Sequence, residues 1–396
     1  MSFSLLLLTL ACSPSEGNLP DSESAVRAES THTSESERMG LSRVGLFMSR
    51  PGTSIDNGRD THIDEAVVGI IENATESLDI AVYDLDVPEI SEAIIQAAHS
   101  GVDVRVVSDA DEADAEGMAD LIDAGLEVVL RPAGDRIMHH KFIVADQELV
   151  WTGSVNLTDN GLYRNNNHGV VVESQHAALD YTIEFEQMFV DGNFGRHKEF
   201  IAAPGYTDIS SGEVISYFAP QHDVMGALVD LIDQAEESVH FLIFAFSRTD
   251  VAEALIRAHE RGVRVIGVMD EGMAASSWAQ DETLAAAGIP VALDGNHNAT
   301  GFAGGKLHHK VLVVDGMRPD AARWVTGSTN WSNAAAESND ENMMILTDPG
   351  KARAMVGEVC RNFRVGTLHA DYGGPRRPVC ASSRLIRELD VAPREL

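Results

Sequence analysis

Hydrophobic positions recur along the chain with two periods, and these alternate in the same order in each half of the sequence. Helical spacing of apolar residues covers six stretches: about 62–76, 88–100, 175–190, 223–237, 249–261 and 349–363. Apolar, often β-branched runs of strand length cover four more: about 78–84, 102–108, 239–246 and 263–269. Because strands and helices take turns, the pattern predicts an α/β fold in which helices flank a sheet.

An internal repeat relates the two halves. Residues 70–80 align with 231–241, and residues 93–104 align with 254–265 at the same offset. The offset grows in two later steps, which indicates two small insertions in the second copy. We therefore predict two tandem domains, with the boundaries 41–196 for the first, 197–211 for a linker, 212–370 for the second and 371–396 for a C-terminal tail.

The N-terminal stretch has a different character from the repeat. Residues 1–12 are an apolar run ending in Cys12, and residues 13–40 are rich in Ser and Glu. The run is too short to span a membrane as a helix, but it fits the core of a secretory signal. It resembles a bacterial lipoprotein signal, which implies lipidation of Cys12 and export to the cell envelope. An ordinary cleaved signal and secretion are the alternative, and residues 13–40 are expected to be a disordered tether.

The charge balance bears on the choice of partner. The chain has 29 basic and 62 acidic residues, a formal net charge of −33. Such an anionic field opposes the approach of nucleic acid unless basic groups are concentrated at one place. We therefore do not expect nucleic acid as a partner.

One short motif occurs twice and has the form His-x-Lys-x4-Asp. The copies consist of His139, Lys141 and Asp146, and of His308, Lys310 and Asp315. Each motif leads into an apolar strand, on which the His and the Lys project from one face while the intervening His140 or His309 projects from the other. A Gly-Ser-x-Asn turn follows each strand and supplies Ser154 and Asn156, or Ser328 and Asn330.

These residue types fit the cleavage of a phosphodiester. That reaction needs a nucleophile, a proton donor for the leaving oxygen, and positive charge near the phosphoryl oxygens. Two imidazoles supply the first two roles near neutral pH, and Lys141 and Lys310 supply charge without a metal. Ser and Asn side chains of the two turns are candidates for binding the phosphate. Asp146 and Asp315 are expected to fix local geometry more than to transfer protons.

The two motifs with their Gly-Ser-x-Asn turns resemble the phospholipase D superfamily, and Phe218-Ala219-Pro220 resembles a strand-end signature of that family. The resemblance implies two mixed sheets flanked by helices and packed about a pseudo-twofold axis. It also implies one active site shared by both motifs, a covalent phosphohistidine and no cofactor. Since both motifs lie in one chain, we expect a monomer with a complete site.

The resemblance also suggests which residue orients each imidazole. In the family an acidic residue downstream of Gly-Ser-x-Asn commonly has this role. Glu341 occupies that place in the second copy and Asn167 in the first. If each acts within its own copy, Glu341 favours a cationic His308 and Asn167 leaves His139 neutral. Our hypothesis is therefore that His139 is the nucleophile and His308 the acid and then the base.

The cysteines outside the signal are Cys360 and Cys380. Cys360 aligns with Glu186 of the first copy, so we expect it near the surface. Export favours a disulfide between Cys360 and Cys380 that fixes the tail, with two unpaired thiols as the alternative. The sequence contains no Cys-x-x-Cys motif and no Cys/His cluster, so its spacing does not suggest a metal site.

The leading functional interpretation is a phospholipase D-type enzyme acting on phospholipids. A metal-independent nuclease and a phosphatidyltransferase of the cardiolipin synthase kind use the same residues and stay open. Outside enzymology, a surface-tethered module that binds phosphate groups is the remaining alternative. The loops that flank the motifs contain no readable code for the head group.

Overall fold

The computed structural model describes residues 43–49, 51, 62–134, 136–200, 203–296, 305–375 and 379–380. The predicted signal with Cys12 and the predicted tether at 13–40 lie outside the described residues.

The first half forms a seven-stranded sheet with the order β1-β7-β6-β5-β2-β3-β4. Its strands are β1 (Val44–Met48), β2 (Ser77–Val82), β3 (Asp103–Asp109), β4 (Glu127–Arg131), β5 (Lys141–Ala145), β6 (Leu149–Gly153) and β7 (His168–Glu173). Its helices are α1 (Ile63–Asn73), α2 (Pro88–His99), α3 (Glu116–Asp123) and α4 (Gln175–Phe189). Short helical turns cover Ala110–Glu112, Asn160–Arg164 and Gly195–His197.

The second half forms a nine-stranded sheet with the order β16-β12-β11-β10-β13-β14-β15-β9-β8. Its strands are β8 (Gly205–Ile209), β9 (Gly212–Ala219), β10 (Ser238–Ile243), β11 (Arg264–Met269), β12 (Val291–Leu293), β13 (Lys310–Val314), β14 (Arg323–Gly327), β15 (Glu341–Leu346) and β16 (Thr367–Leu368). Its helices are α5 (Val224–Asp233), α6 (Thr249–Glu260), α7 (Glu271–Ala274), α8 (Asp281–Ala286), α9 (Asn333–Glu337) and α10 (Pro349–Val365).

Both sheets have the same internal plan. Strands β2, β3 and β4 are parallel, as are β10, β11 and β12. The motif strands β5 and β13 pair antiparallel with β2 and β10, and two further antiparallel strands follow each of them. The prediction of two mixed sheets flanked by helices is confirmed. Residues 205–209, which were predicted as part of the linker, instead form β8 at the edge of the second sheet.

Local sequence fixes the starts of several helices. The side chains of Ser174, Asp223 and Asp348 accept hydrogen bonds from the backbone amides of Ala177, Gly226 and Lys351. A short polar side chain in this position satisfies an amide that the first helical turn leaves without a partner. These residues therefore end the preceding segment and begin α4, α5 and α10.

One hydrophobic core belongs to both halves. It contains apolar residues of α4 and α10 together with alternate residues of both sheets, such as Phe142 and Val144 on β5 and Val311 and Val313 on β13. Each half also has a core of its own beneath its other helices. Because apolar burial is the main favourable term in folding, the shared core fixes how the two motif strands lie with respect to each other. Among the described helices, none has the length and apolarity needed to cross a bilayer.

The prediction that Cys360 lies near the surface is wrong, because its exposed fraction is 0%. Cys360 forms a disulfide with Cys380, with 5.5 Å between the two Cα atoms. The backbone carbonyl of Cys380 also accepts a hydrogen bond from the ring of His240 at 3.2 Å. Cys380 itself therefore covers this part of α10, whereas Glu186 in the first half is partly exposed.

We expect the disulfide to stabilise the fold. It closes a loop of 20 residues, for which loop-closure entropy gives about 3 kcal/mol of unfolding free energy. A Cys360→Ala, Cys380→Ala double variant should therefore unfold at a lower temperature than the oxidised protein in a calorimetric scan. Added reductant should lower the transition of the wild type only. Identical wild-type transitions with and without reductant would contradict the expectation.

Candidate active site

Just before each motif strand, the backbone forms hydrogen bonds with the other half of the chain. Met138, just before the first motif, pairs with Asp340, and Leu307, just before the second, pairs with Asn166. The amide of His139 donates to the carbonyl of Asp340 at 2.9 Å, and the amide of His308 donates to the carbonyl of Asn166 at the same distance. Each histidine is therefore held by the half to which it does not belong.

Two aspartates, one at the end of β3 and one just after β11, hold the backbone segments that precede the motifs. A carboxylate oxygen of Asp109 accepts from the amide of Met138 at 2.7 Å, and one of Asp270 accepts from the amide of Leu307 at 3.1 Å. Sequence reasoning missed this pair. The signal was present, because the two aspartates end aligned strands of the repeat.

The orienting residues act on the opposite histidines from those expected. Nδ1 of His139 lies 2.8 Å and 2.9 Å from the carboxylate oxygens of Glu341. Nδ1 of His308 lies 3.1 Å from Oδ1 of Asn167 and 3.0 Å from the carbonyl of Ser154. The expectation that Glu341 serves His308 and Asn167 serves His139 is therefore wrong. The physical reason is the crossing described above, which brings each Asn167 or Glu341 position to the other half's motif.

The protonation pattern of both rings follows from these partners. His308 Nδ1 meets two neutral acceptors and must carry a hydrogen. A carboxylate at His139 Nδ1 likewise favours a hydrogen on that nitrogen. Both rings therefore keep Nε2 for chemistry. They differ in that only His139 has a carboxylate to balance a positive charge on the ring.

Ser154 and Ser328, predicted to bind the substrate phosphate, are fully buried and have another role. The Ser154 hydroxyl donates to Oδ1 of Asn167 at 2.9 Å, and the Ser328 hydroxyl donates to Glu341 at 2.6 Å. The two serines therefore hold Asn167 and Glu341, the residues that contact the histidines, in place. Asn156 and Asn330 of the same turns are only partly buried, so their predicted role in phosphate binding stays a prediction.

The two lysines lie beside their histidines. Nζ of Lys141 donates to the carbonyl of His139 at 2.8 Å, and Nζ of Lys310 donates to the carbonyl of His308 at 2.7 Å. Each ammonium group also lies over an aromatic ring, Tyr83 for Lys141 and Phe244 for Lys310. One carbonyl uses one of three ammonium donors, so both lysines keep hydrogens for an anionic ligand.

Burial shapes the electrostatics of this cluster. It lowers the pKa of His139 and of His308 well below the usual value, and the charges of the two lysines lower each pKa further. Burial also lowers the pKa of Lys141 to about 7 and raises the pKa of Glu341 to about 7. The pKa of Lys310 is lowered by burial and by the charge of Lys141. A bound anion would offset the repulsion among these positive groups.

The aspartates of the two motifs lie at the other ends of the motif strands. Asp146 accepts from the amides of Thr75, Glu76 and Ser77, and Asp315 accepts from those of Glu236, Glu237 and Ser238. Five strand residues separate each aspartate from its histidine region, roughly 17 Å at about 3.3 Å per residue. Although the motif groups them with the catalytic residues, they fix the fold and do not touch the reacting groups.

The histidines on the backs of the motif strands are buried and have structural partners. Nε2 of His140 lies 2.8 Å from Glu184 on α4, which also pairs with Lys198. His309 stacks on His168 with 2.9 Å between their Nδ1 atoms. In the described part of the chain, the group with metal-ligand geometry is His240, Cys360 and Cys380. Its two sulfur atoms are in the disulfide and are not thiolate ligands.

Comparison with known proteins identifies the family. The family described as "Cardiolipin synthase, PLD-like domain" matches residues 67–189 and 228–364, one match in each half. Together these cover more than half of the chain. The protein therefore belongs to the phospholipase D superfamily and is a phosphodiesterase of that general kind.

Individual relatives agree with this assignment. The chain is 36% identical over 121 residues to a mitochondrial cardiolipin hydrolase of Xenopus tropicalis, covering 31% of this chain and 52% of the relative. It is 30% identical over 142 residues to a phospholipase D of Rickettsia conorii, covering 36% and 65%. The chain thus spans between half and two thirds of these relatives. The solved phosphatidylserine synthase of Haemophilus influenzae Rd KW20 has a TM-score of 0.58 at 16% identity, covering 84% of this chain and 90% of the synthase, and shows the shared fold.

The unequal partners of the histidines predict unequal effects of substitution. Glu341→Gln should lower kcat by about 100-fold or more, because an imidazole that becomes cationic loses its compensating carboxylate. Asn167→Ala should cost about tenfold or less, since His308 keeps the carbonyl of Ser154 as an acceptor. Steady-state kinetics on any cleaved phosphodiester measures both. Equal losses, or the reverse order, would contradict the assignment.

The pKa values predict a narrow pH profile. Below pH 7 Glu341 becomes protonated and loses its charge, and above pH 7 Lys141 loses its proton and its charge. We therefore expect kcat/KM to be bell-shaped with a maximum near pH 7, because it reports groups of the free enzyme. The residual activity of Glu341→Gln should keep only the fall at high pH. A broad plateau from about pH 5 to about pH 9 would show that these groups do not control the rate.

Proposed function

We propose that the protein is a phospholipase D-type enzyme that hydrolyses a phospholipid to phosphatidic acid through a phosphohistidine on His139. The observation that carries the proposal is the meeting of both His-x-Lys motifs in one buried site with two lysines and one carboxylate. The family membership and relatives named cardiolipin hydrolase and phospholipase D support a phospholipid substrate.

In the first step, Nε2 of His139 attacks the phosphorus and the bond to the head-group oxygen breaks. The negative charge of the bound phosphate favours the cationic form of His308. Nε2 of this cationic ring gives its proton to that oxygen, so the head group leaves as an alcohol. The phosphorylated ring carries positive charge, which the Glu341 carboxylate balances. Lys141 and Lys310 neutralise the phosphoryl oxygens as charge develops there.

In the second step, water gives a proton to Nε2 of His308 and attacks the phosphorus. The bond between phosphorus and His139 breaks, phosphatidic acid is released, and both rings return to their starting states. His139 is the proposed nucleophile because its carboxylate partner Glu341 can balance the positive charge of the phosphorylated ring. A neutral amide and a carbonyl at His308 leave that ring better suited to give up its proton.

The place of the enzyme in the cell is a separate proposal. We propose that a lipid on Cys12 holds the enzyme in the cell envelope beside its phospholipid substrate. Acylation places an enzyme at the membrane surface. Metabolic labelling with a fatty acid, compared between the wild type and Cys12→Ala, tests this point.

The function is tested with purified protein in excess EDTA, presented in parallel with phospholipid vesicles and with single- and double-stranded DNA. We expect release of a head group and phosphatidic acid, loss of both in His139→Ala, and a trapped phosphoenzyme that carries phosphate on His139. His308→Ala should form phosphoenzyme only from substrates with an easily expelled leaving group. DNA cleavage without lipid turnover, or phosphate trapped on His308, would refute the proposal.

A further inference from the structure

Two buried histidines that take no part in the proposed mechanism face each other, one from each half. His168 begins β7, and His309 immediately precedes β13. Neither residue is exposed, the rings stack with their centroids 5.1 Å apart, and 2.9 Å separates their Nδ1 atoms. Because two N–H groups cannot point at each other over this distance, one Nδ1 carries a hydrogen and the other accepts it.

The outer partners of this pair decide which ring donates. Nε2 of His309 lies 3.7 Å from a carboxylate oxygen of Glu358, and a carboxylate favours a hydrogen on the nitrogen that faces it. Burial lowers the pKa of both rings, so each ring is neutral and carries one hydrogen. His309 therefore accepts at Nδ1, and His168 donates from Nδ1. The Thr326 hydroxyl, 2.6 Å from Nε2 of His168, donates to that nitrogen.

His168 also occupies both acceptor positions of the Ser154 hydroxyl. Its backbone amide donates to Oγ of Ser154 at 3.1 Å, and its Nδ1 lies 3.1 Å from the same oxygen. The Nδ1 hydrogen is thus shared between this oxygen and the ring of His309, as in other three-centre hydrogen bonds. A hydroxyl has two lone pairs and one hydrogen. With both lone pairs occupied, Ser154 donates its hydrogen to Oδ1 of Asn167 at 2.9 Å.

The direction of this hydrogen bond determines which end of the Asn167 amide faces His308. A donating hydroxyl requires the amide oxygen, and the amide nitrogen then donates to the carbonyl of Gly161 at 2.9 Å. The same amide oxygen lies 3.1 Å from Nδ1 of His308 and accepts its hydrogen. With a hydrogen held on Nδ1, His308 exchanges the proton of the reaction at Nε2.

The other half needs no such control. The carboxylate of Glu341 has two acceptor oxygens and no donor, so Ser328 can only donate to it, which it does at 2.6 Å. Asn342 aligns with His168 in the repeat, but its side chain donates to side chains of β6 and α4. An amide has a donor end and an acceptor end, and a histidine stands behind it only on the side where the orienting residue is an amide.

We propose that His168 is a positioning residue for the proton donor His308. It acts through Ser154, which fixes the orientation of the Asn167 amide and thereby keeps a hydrogen on Nδ1 of the donor ring. This inference rests on the proposed function, because it takes His308 as the acid that protonates the leaving group. It predicts that loss of His168 impairs proton donation more than it impairs attack on the phosphorus.

The kinetic test compares two lipids with different leaving groups in micelles of neutral detergent. The alcohol of phosphatidylglycerol needs a proton to leave, whereas the phenolate of phosphatidyl p-nitrophenol needs none. In His168→Gln, whose amide can reach Thr326 but leaves no polar atom in the place of Nδ1, kcat/KM for phosphatidylglycerol should fall about fivefold. The value for the p-nitrophenyl lipid should stay within about twofold.

His240→Gln is the matched control. His240 is also buried, but its ring contacts the backbone carbonyl of Cys380. This variant should leave the ratio of the two kcat/KM values unchanged. His168→Ala serves as a second variant of the positioning residue and should change the ratio in the same direction as His168→Gln.

A double-variant cycle tests the route through the amide. In Asn167→Asp the orienting group becomes a carboxylate, which accepts from both Ser154 and His308 whatever stands behind the serine. Adding His168→Gln to this background should therefore cost less than about twofold with phosphatidylglycerol, against about fivefold in the wild-type background. Equal costs in the two backgrounds would refute the route.

Nuclear magnetic resonance of protein with labelled imidazole nitrogens tests the tautomer without turnover. Proton–nitrogen correlation spectra distinguish a hydrogen on Nδ1 from one on Nε2, and His308→Ala identifies the signals of that ring. We expect the Nδ1–H form of His308 in the wild type and a larger share of the Nε2–H form in His168→Gln. If the wild type cleaves neither lipid, the proposed function fails, and this measurement still decides the inference.

Two further results would overturn the inference. Equal losses for both lipids in His168→Gln would make the histidine pair a structural contact between the halves and no more. An unchanged tautomer of His308 in the same variant would show that this ring keeps its hydrogen on Nδ1 without His168.

Discussion

The active site depends on the exchange of short backbone pairings between the two halves. Met138 is held by Asp340, and Leu307 by Asn166, so neither histidine reaches its position within its own half alone. The core shared by α4, α10 and both sheets maintains that docking. Local order within each half is therefore necessary but not sufficient to position the two histidines. The catalytic geometry is a property of the interface between the halves.

Burial at this interface sets the chemistry. Two histidines and two lysines converge with one nearby carboxylate, and removing them from water favours their neutral forms. A phosphodiester carries the negative charge that such a cluster lacks. The cluster is thus suited to an anionic ligand, and the charge of that ligand favours the cationic lysines that neutralise the phosphoryl oxygens.

Sequence alone predicted the features that are encoded locally. Periodicity located the helices and strands, such as 249–261 for α6, and recurrence located His139, Lys141, His308 and Lys310. The partners of the histidines could not be read in this way, since alignment within a repeat says nothing about contacts between repeats. The contact of the Ser154 carbonyl with His308 likewise joins residues that are distant in sequence, and the burial of Cys360 depends on Cys380 beyond the repeat, so no local pattern reports either of them.

The join between the halves has a consequence for how the site can change. In an assembly of two identical subunits, every substitution appears on both sides of the axis, so both histidines must keep the same surroundings. Within one continuous chain, Glu341 and Asn167 occupy equivalent places yet differ. Fusion thereby allows a symmetric scaffold to hold a directional reaction, with an attacking side and a departing side that evolve separately.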